Sequence, residues 1–599
     1  MKRQIGAEYK EGTCGFCVWA PEAEKVELLL KDQSPVPLQK DALGYWSTSL
    51  EVEPGTLYKF VVEGKALPDP ASRSQPEGVH SWSAVVNTNF RWKDDSWRGK
   101  SSNEMIIYEL HVSTFSEDGS FEGVLQKLDH LLELGVNTLE LMPLAQFPGN
   151  RNWGYDGVYP FAVQNSYGSR DSLKRLIDAC HSNGLAVLLD VVYNHQGPEG
   201  NYLSAFGPYF TEKYRTPWGS AINYDDKYSD EVRNFFLQNA LMWLEEFHFD
   251  GLRLDAVHEI IDRGAQHFLK ELSQWVDELE KRTGRQYVLI AESDLNDARL
   301  VSPYSRGGYG LEAQWVDDFH HSLHTVLTGE DKGYYSDYGK LEFVAKSLQQ
   351  AFVYDGIYSP FRKKSIGNSP RDCSPGNFVV SLQNHDQVGN RLLGERLSQL
   401  VSFEALKLAT GILLLSPYVP MLFMGEEFAE DKPFLYFVSH SDKKLVEAVR
   451  EGREKEFSYF FGKGDEGFSD PQSEETFRKS KLNWNFKSEP IKAYIFSYYK
   501  KLIRLRKEGS FEAFRNSSLK AEVINNYLLI ISGKSGSVQL LALCNFNKEA
   551  ETTDLPQGKE WKPIFSSADK KWGGTVEHKA LNIAGKAEVA GESLLILEA

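Results

Sequence analysis

Apolar and polar positions follow two different rhythms along this chain, and the rhythm changes twice. From Gly6 to about Asn89 the apolar runs are short: Phe16–Trp19, Lys25–Leu30 and Leu57–Val62, with turn signals at Pro21, Pro35 and Pro54-Gly55 between them. Regular short strands without helices predict a β-sandwich. Pro68–Gly78 reads as its polar, proline-rich exit.

From about Asn103 strands alternate with amphipathic helices. The strand-like runs are Ile106–Leu110, Thr138–Leu141, Ala186–Val192, Phe249–Asp255, Val288–Glu292, Leu311–Phe319, Phe378–Leu382 and Val419–Met424. Helical spacing predicts Gly123–Leu134, Asp171–Asn183 and Glu231–Phe247 between them, and Ile491–Lys507 after them. Near-continuous apolar strands alternating with helices indicate a parallel sheet covered on its outer face. Eight such units fit a (β/α)8 barrel enlarged by loop insertions. Beyond about Phe514 the strand rhythm returns at Tyr527–Ile531, Gln539–Leu543 and Ser593–Leu597, as expected for a small C-terminal β-sandwich. The division this predicts is an N-terminal sandwich over 1–95, a barrel over 96–513 and a C-terminal sandwich over 514–599. The basic run Lys500–Lys507 falls late in a helix, where cations suit the dipole, and reads as a solvated face.

Composition narrows the field without changing this picture. At 599 residues several domains are expected. A net charge of −17 and the lack of a Lys/Arg run outside one helix end argue against a nucleic-acid partner. No stretch of about 18 apolar residues predicts a membrane span, and Met1–Glu8 lacks the apolar core of a secretory signal. The spacing Cys14-Gly15-Phe16-Cys17 is that of a redox pair, but residues three apart on a strand face opposite sides. The five cysteines are therefore read as reduced thiols, and the protein as cytoplasmic.

Chemistry concentrates at the ends of the predicted strands. Arg253 and Asp255 sit two apart on one strand and share a face, while Leu252 and Leu254 pack on the other. Alone, such a pair is more often an ion pair that holds loops together. However, Asp190–His195 ends the third strand, Glu292 the fifth and Gln383–Gln387 the seventh, and in a barrel these ends form one rim. Asp255, Glu292 and Asp386 would then meet in one pocket. Paired carboxylates with separable pKa values are the equipment of glycoside chemistry.

Asp190–His195, Gly251–His258, Ala291-Glu292-Ser293 and Asn384-His385-Asp386 resemble the four short motifs of the α-amylase superfamily, in order and on the matching strands. The N-terminal sandwich is similar to the module preceding the barrel in branching and debranching members. Pro68–Gly78, Tyr193–Tyr202, Ala313–His324 and Gly329–Tyr335 are similar to the malto-oligosyltrehalose trehalohydrolase family, whose members hydrolyse the α-1,4 bond next to a terminal trehalose unit of maltooligosyl trehalose. The resemblance implies that Asp255 is the nucleophile, Glu292 the acid and then base, and Asp386 a hydrogen-bonding partner of the sugar at the cleavage point. It implies substrate-binding roles for His195 and His385, an orienting role for Arg253, braced by Asp190, and a stacking role for Tyr155. Trp153, Trp218 and Trp315 are candidate groove residues, equally readable as core. His320, His321 and His324 share a predicted helix, but no carboxylate motif completes a zinc site. The insertion after the third strand lacks the dense Asp/Asn run of calcium-binding α-amylases, so neither a metal nor another cofactor is expected. An α-1,4-glucan branching enzyme would use the same three carboxylates and the same N-terminal module. A non-catalytic glycan-binding protein would be expected to have lost one of them.

Overall fold

The computed structural model describes residues 4–461, 469–516, 518–576 and 585–599. Its centre is a closed barrel of eight parallel strands: β1 (Ile107–Leu110), β2 (Thr138–Leu141), β3 (Ala186–Val191), β4 (Gly251–Leu254), β5 (Val288–Ala291), β6 (Ala313–Trp315), β7 (Phe378–Ser381) and β8 (Val419–Phe423), with β8 returning to pair with β1. Every residue of β1 to β5 is buried. A strand covered on both faces has no polar side to show, which is why these segments read as continuous apolar runs.

The N-terminal strands form two antiparallel sheets packed face to face, one ordered around Thr13–Trp19 and Tyr45–Glu51, the other around Val26–Leu30 and Leu57–Val62. Cys14 is buried and Cys17 half-exposed, on opposite faces of their strand as its two-residue period requires. At the other end a five-stranded antiparallel sheet faces the ribbon Glu551–Asp554/Lys586–Val589. Leu541, Leu543, Trp561 and Val589 pack between the two. Among the described residues no helix is long and apolar enough to cross a membrane.

Four elements differ from the sequence reading. The helix expected over Gly123–Leu134 is two, Phe121–Leu125 and Leu128–Leu134, and the second stops at Gly135, whose φ of 98° few other residues adopt. The helix expected over Glu231–Phe247 runs from Ser229 to Leu241 and then widens into a π turn, Met242–Glu246. Beside that turn Glu246 meets Arg170, Arg73 at 2.5 Å and Lys174 at 3.2 Å, tying the exit of the N-terminal sandwich to the barrel wall. The sixth strand is much shorter than Leu311–Phe319, because a helix begins at Asp317 with two carboxylates in its first turn, where the helix dipole favours them. Finally, the basic run Lys500–Lys507 is not wholly solvated. Arg506 is buried and donates to the carbonyls of Leu414 and Ser416, which end the helix Phe403–Leu415.

Candidate active site

The site is assembled around Arg253. In β4 Gly251 lies against the neighbouring strand so closely that a Cβ would stand 2.1 Å from the Val288 carbonyl oxygen. This close approach aligns β4 with β3 and β5, and the register pairs Arg253 with Asp190 on one side and Ile290 on the other. Arg253 is completely buried, with its guanidinium carbon 4.1 Å from the centre of the Trp315 ring. Its Nη1 donates to Asp190 Oδ2 at 2.7 Å and to Asp255 Oδ1 at 3.1 Å, and its Nη2 lies 2.9 Å from Glu292 Oε2. One cation thus holds three carboxylates from the ends of three adjacent strands. Removing one partner from a buried ion network leaves uncompensated charge and costs about 3–5 kcal/mol. Arg253→Met, leaving three carboxylates without their cation, is therefore expected to lower unfolding stability by at least about that much; urea titration by circular dichroism measures it.

The chain turns sharply after Asp255. Ala256 takes a left-handed backbone, φ 36° and ψ 54°, a conformation that costs a non-glycine residue about 1–3 kcal/mol. The strain has a local use: the Ala256 N–H donates to Glu292 Oε2 at 2.7 Å. Burial nevertheless raises the Glu292 pKa, with Arg253 opposing the shift and Asp255 adding to it. Glu292 is thus biased toward its protonated form, beside the aspartate with which it shares a cation.

Tyr155, His385 and Asp386 form a second line that meets this cluster at Asp190. Tyr155 donates its hydroxyl proton to Asp190 Oδ2 at 2.6 Å and lies 2.8 Å from His385 Nε2. His385 Nδ1 sits 2.5 Å from Glu109 Oε1, so both ring nitrogens face acceptors and act as donors. Burial disfavours the charged imidazolium, yet Asp386 and Glu109 outweigh it and lift the His385 pKa to about 9. Asp386 is two-fifths exposed, facing the cleft, and Asn384 fixes its position by accepting its backbone N–H at 3.0 Å. His195 donates from Nε2 to the Tyr155 carbonyl at 2.9 Å.

The three candidate tryptophans separate. Trp218 sits at the tip of the hairpin Phe210–Thr216/Gly219–Ile222, half exposed, and stacks on His195 at 4.3 Å with the rings 7° from parallel. Trp153 is 3% exposed; it stacks on Phe434, stands edge-on to His385 and donates its indole N–H to the Leu435 carbonyl, so it lies behind the histidine rather than in the cleft. Trp315 is the floor under Arg253. A sugar ring stacked on Trp218 would lose about 1–2 kcal/mol on truncation. Trp218→Ala should accordingly raise KM about tenfold at unchanged thermal stability, as steady-state kinetics and calorimetry would show.

The histidine-rich helix Asp317–Thr328 is packed inward. His320 bonds the Leu382 carbonyl at 2.6 Å and the Tyr335 hydroxyl at 2.8 Å, while His324 pairs with Glu330 at 2.7 Å. Burial pushes the pKa of all three histidines down, that of His321 to about 3. They serve as neutral spacers in an aromatic cluster with Tyr334 and Tyr335.

Sequence reasoning missed Glu109, Glu140 and the Ala256 N–H, and it gave no individual role to Asp317 or Gln387 within the stretches it singled out. Glu109 and Glu140 had a visible signal, since each is a lone acid inside an all-buried strand. Burial, reinforced by the charge of Glu109, holds Glu140 well above the usual carboxylate range.

Comparisons with known proteins agree with this fold. Residues 87–218 match the model of the alpha amylase catalytic domain, and residues 4–78 that of carbohydrate-binding module 48, the isoamylase N-terminal domain. Barrel, sandwich and rim carboxylates together define a glycoside hydrolase of the α-amylase superfamily. Within that superfamily the chain is 48% identical over 531 residues to malto-oligosyltrehalose trehalohydrolase of Saccharolobus solfataricus, spanning 88% of this chain and 91% of the relative. The chain belongs to the malto-oligosyltrehalose trehalohydrolase family. A crystal structure of a protein from Salmonella typhimurium superposes with a TM-score of 0.90 at 36% identity, covering 100% of both chains. The 1,4-alpha-glucan branching enzyme GlgB of Geobacillus stearothermophilus is more distant, 29% identical over 70% of this chain and 68% of its own.

Proposed function

We propose that this chain hydrolyses the α-1,4-glucosidic bond adjacent to the terminal trehalose unit of maltooligosyl trehalose, releasing trehalose and a maltooligosaccharide with retention at the anomeric carbon. The observation that carries the mechanism is the Asp255–Arg253–Glu292 bridge. Two carboxylates on one planar guanidinium suit the close spacing of retaining enzymes, whose carboxyl groups stand about 5–5.5 Å apart, rather than the wider gap that admits a water.

In the first step Asp255 attacks the anomeric carbon while Glu292, protonated, gives its proton to the departing glycosidic oxygen. In the second Glu292, now ionised, takes a proton from water, which displaces Asp255 from the sugar. Asp386 binds hydroxyls of the sugar as its ring flattens, with Tyr155 stacked on it and Trp218 and His195 forming a further wall, while buried His385, its two ring protons committed to Tyr155 and Glu109, holds Tyr155 in place. The ligand is an α-glucan ending in trehalose, and no nucleic acid or membrane takes part. We place the reaction in the cytoplasm.

Branching needs the same glycosyl enzyme but delivers it to a glucan hydroxyl. Incubation with maltooligosyl trehalose and, separately, with amylose distinguishes the two. Hydrolysis predicts free trehalose from the first; a loss of iodine staining in the second without new reducing ends would establish branching instead.

A further inference from the structure

Asp317 is the first residue of the helix that follows β6, and β6 lies between the strands that carry Glu292 and Asp386. Its neighbour Asp318 is fully engaged: the N–H groups of Val353 and Tyr354 donate to it at 2.6 and 2.9 Å, Asn296 Nδ2 at 2.8 Å, and Tyr338 also bonds it. Asp317 differs from it in every respect. It is half-buried, and among the described residues the one bond made to its carboxyl comes from Gln387 Nε2 at 3.3 Å. Gln387 cannot turn away, since its Oε1 accepts the Asn384 N–H at 2.9 Å. The carboxyl is therefore placed on the rim by a fixed amide, with acceptor capacity left over, between the proton donor and the groups that hold the sugar.

We propose that Asp317 is a specificity-determining residue that hydrogen-bonds hydroxyls of the sugar on the leaving side of the scissile bond, the first glucose of the departing trehalose. The inference rests on the assignment of Glu292 as the acid, because the leaving sugar must lie on the side of the group that protonates its oxygen. Asp317 belongs to that side: it follows β6, which pairs directly with β5, the strand that ends at Glu292. Burial together with the charges of Glu292, Asp294 and Asp386 lifts its pKa to about 8. At neutral pH it is then mostly a carboxylic acid, which can donate to one hydroxyl and accept from another without adding a further negative charge to the rim.

The test compares Asp317→Ala and Asp317→Asn with the unaltered enzyme on maltotriosyl trehalose and on α-maltotriosyl fluoride, whose leaving group has no hydroxyls. Loss of one or two hydrogen bonds to the leaving sugar should raise KM for maltotriosyl trehalose about 10- to 100-fold in the alanine variant. The kcat should stay within about threefold and hydrolysis of the fluoride should be unchanged. Asparagine, which also donates and accepts, should restore most of the loss. An unchanged KM in a variant that melts at the normal temperature overturns the proposal. So does an equal loss on both substrates, which would mark a structural or electrostatic role. If the unaltered enzyme releases no trehalose, the proposed function itself fails; if it does and the variants match it, only this inference fails.

Discussion

Asp255→Ala should lower kcat on maltooligosyl trehalose by roughly 10⁵-fold, the scale of losing a nucleophile from a site that acts as a unit. The fold should survive, because Arg253 keeps Asp190 at 2.7 Å and Glu292 at 2.9 Å as partners. The loss is thus expected in stopped assays of trehalose release, with far-ultraviolet circular dichroism unaltered. Near-normal turnover would remove Asp255 as the attacking group. It would then be one more structural partner of a buried arginine.

Glu292→Gln should cost about 10³- to 10⁴-fold in kcat on the same substrate, but far less on α-maltotriosyl fluoride, whose departure needs little help from an acid. Its pH dependence gives a second readout. Burial raises the Glu292 pKa, so the protonated form needed for the first step is held to higher pH and is lost as pH rises through that raised value. The rate on maltooligosyl trehalose should therefore fall on the alkaline side, and the fall should vanish in Glu292→Gln. An alkaline limb that persists unchanged in the glutamine variant would take that limb away from Glu292 and give it to His385 or Asp317, whose pKa values lie at about 9 and about 8.

The barrel was legible because its strands are buried on both faces and so carry continuous apolar runs, four of which, β3, β4, β5 and β7, end in polar residues where the rim begins. All eight strands lie where those runs lie. The failures have a common cause, which is that periodicity does not report interruptions set by tertiary contacts. Nothing in the apolar spacing of Glu231–Phe247 announces the π turn beside which Glu246 meets Arg73 and Arg170. Likewise the apolar run ending at Phe319 hid a helix start at Asp317. The site divides in the same way. Arg253, Asp255, Glu292 and Asp386 were visible as charged residues at strand ends, whereas the Ala256 N–H is a backbone group and depends on a strained turn that no residue type advertises. Trp153 and Trp218 could not be told apart in sequence, because burial against Phe434 and exposure over His195 are decided by loops from distant parts of the chain. Gln387 is an unremarkable polar residue until its amide is seen to be fixed at both ends.

Proton NMR of the enzyme acting on maltotriosyl trehalose tests the central claim most directly, since one time course follows both products before mutarotation scrambles them. Two displacements at the Asp255–Glu292 pair predict the anomeric signal of free trehalose growing together with that of α-maltotriose, and the β-anomer appearing only later. Maltotriose formed first as the β-anomer, or consumption of substrate with no free trehalose, would contradict it.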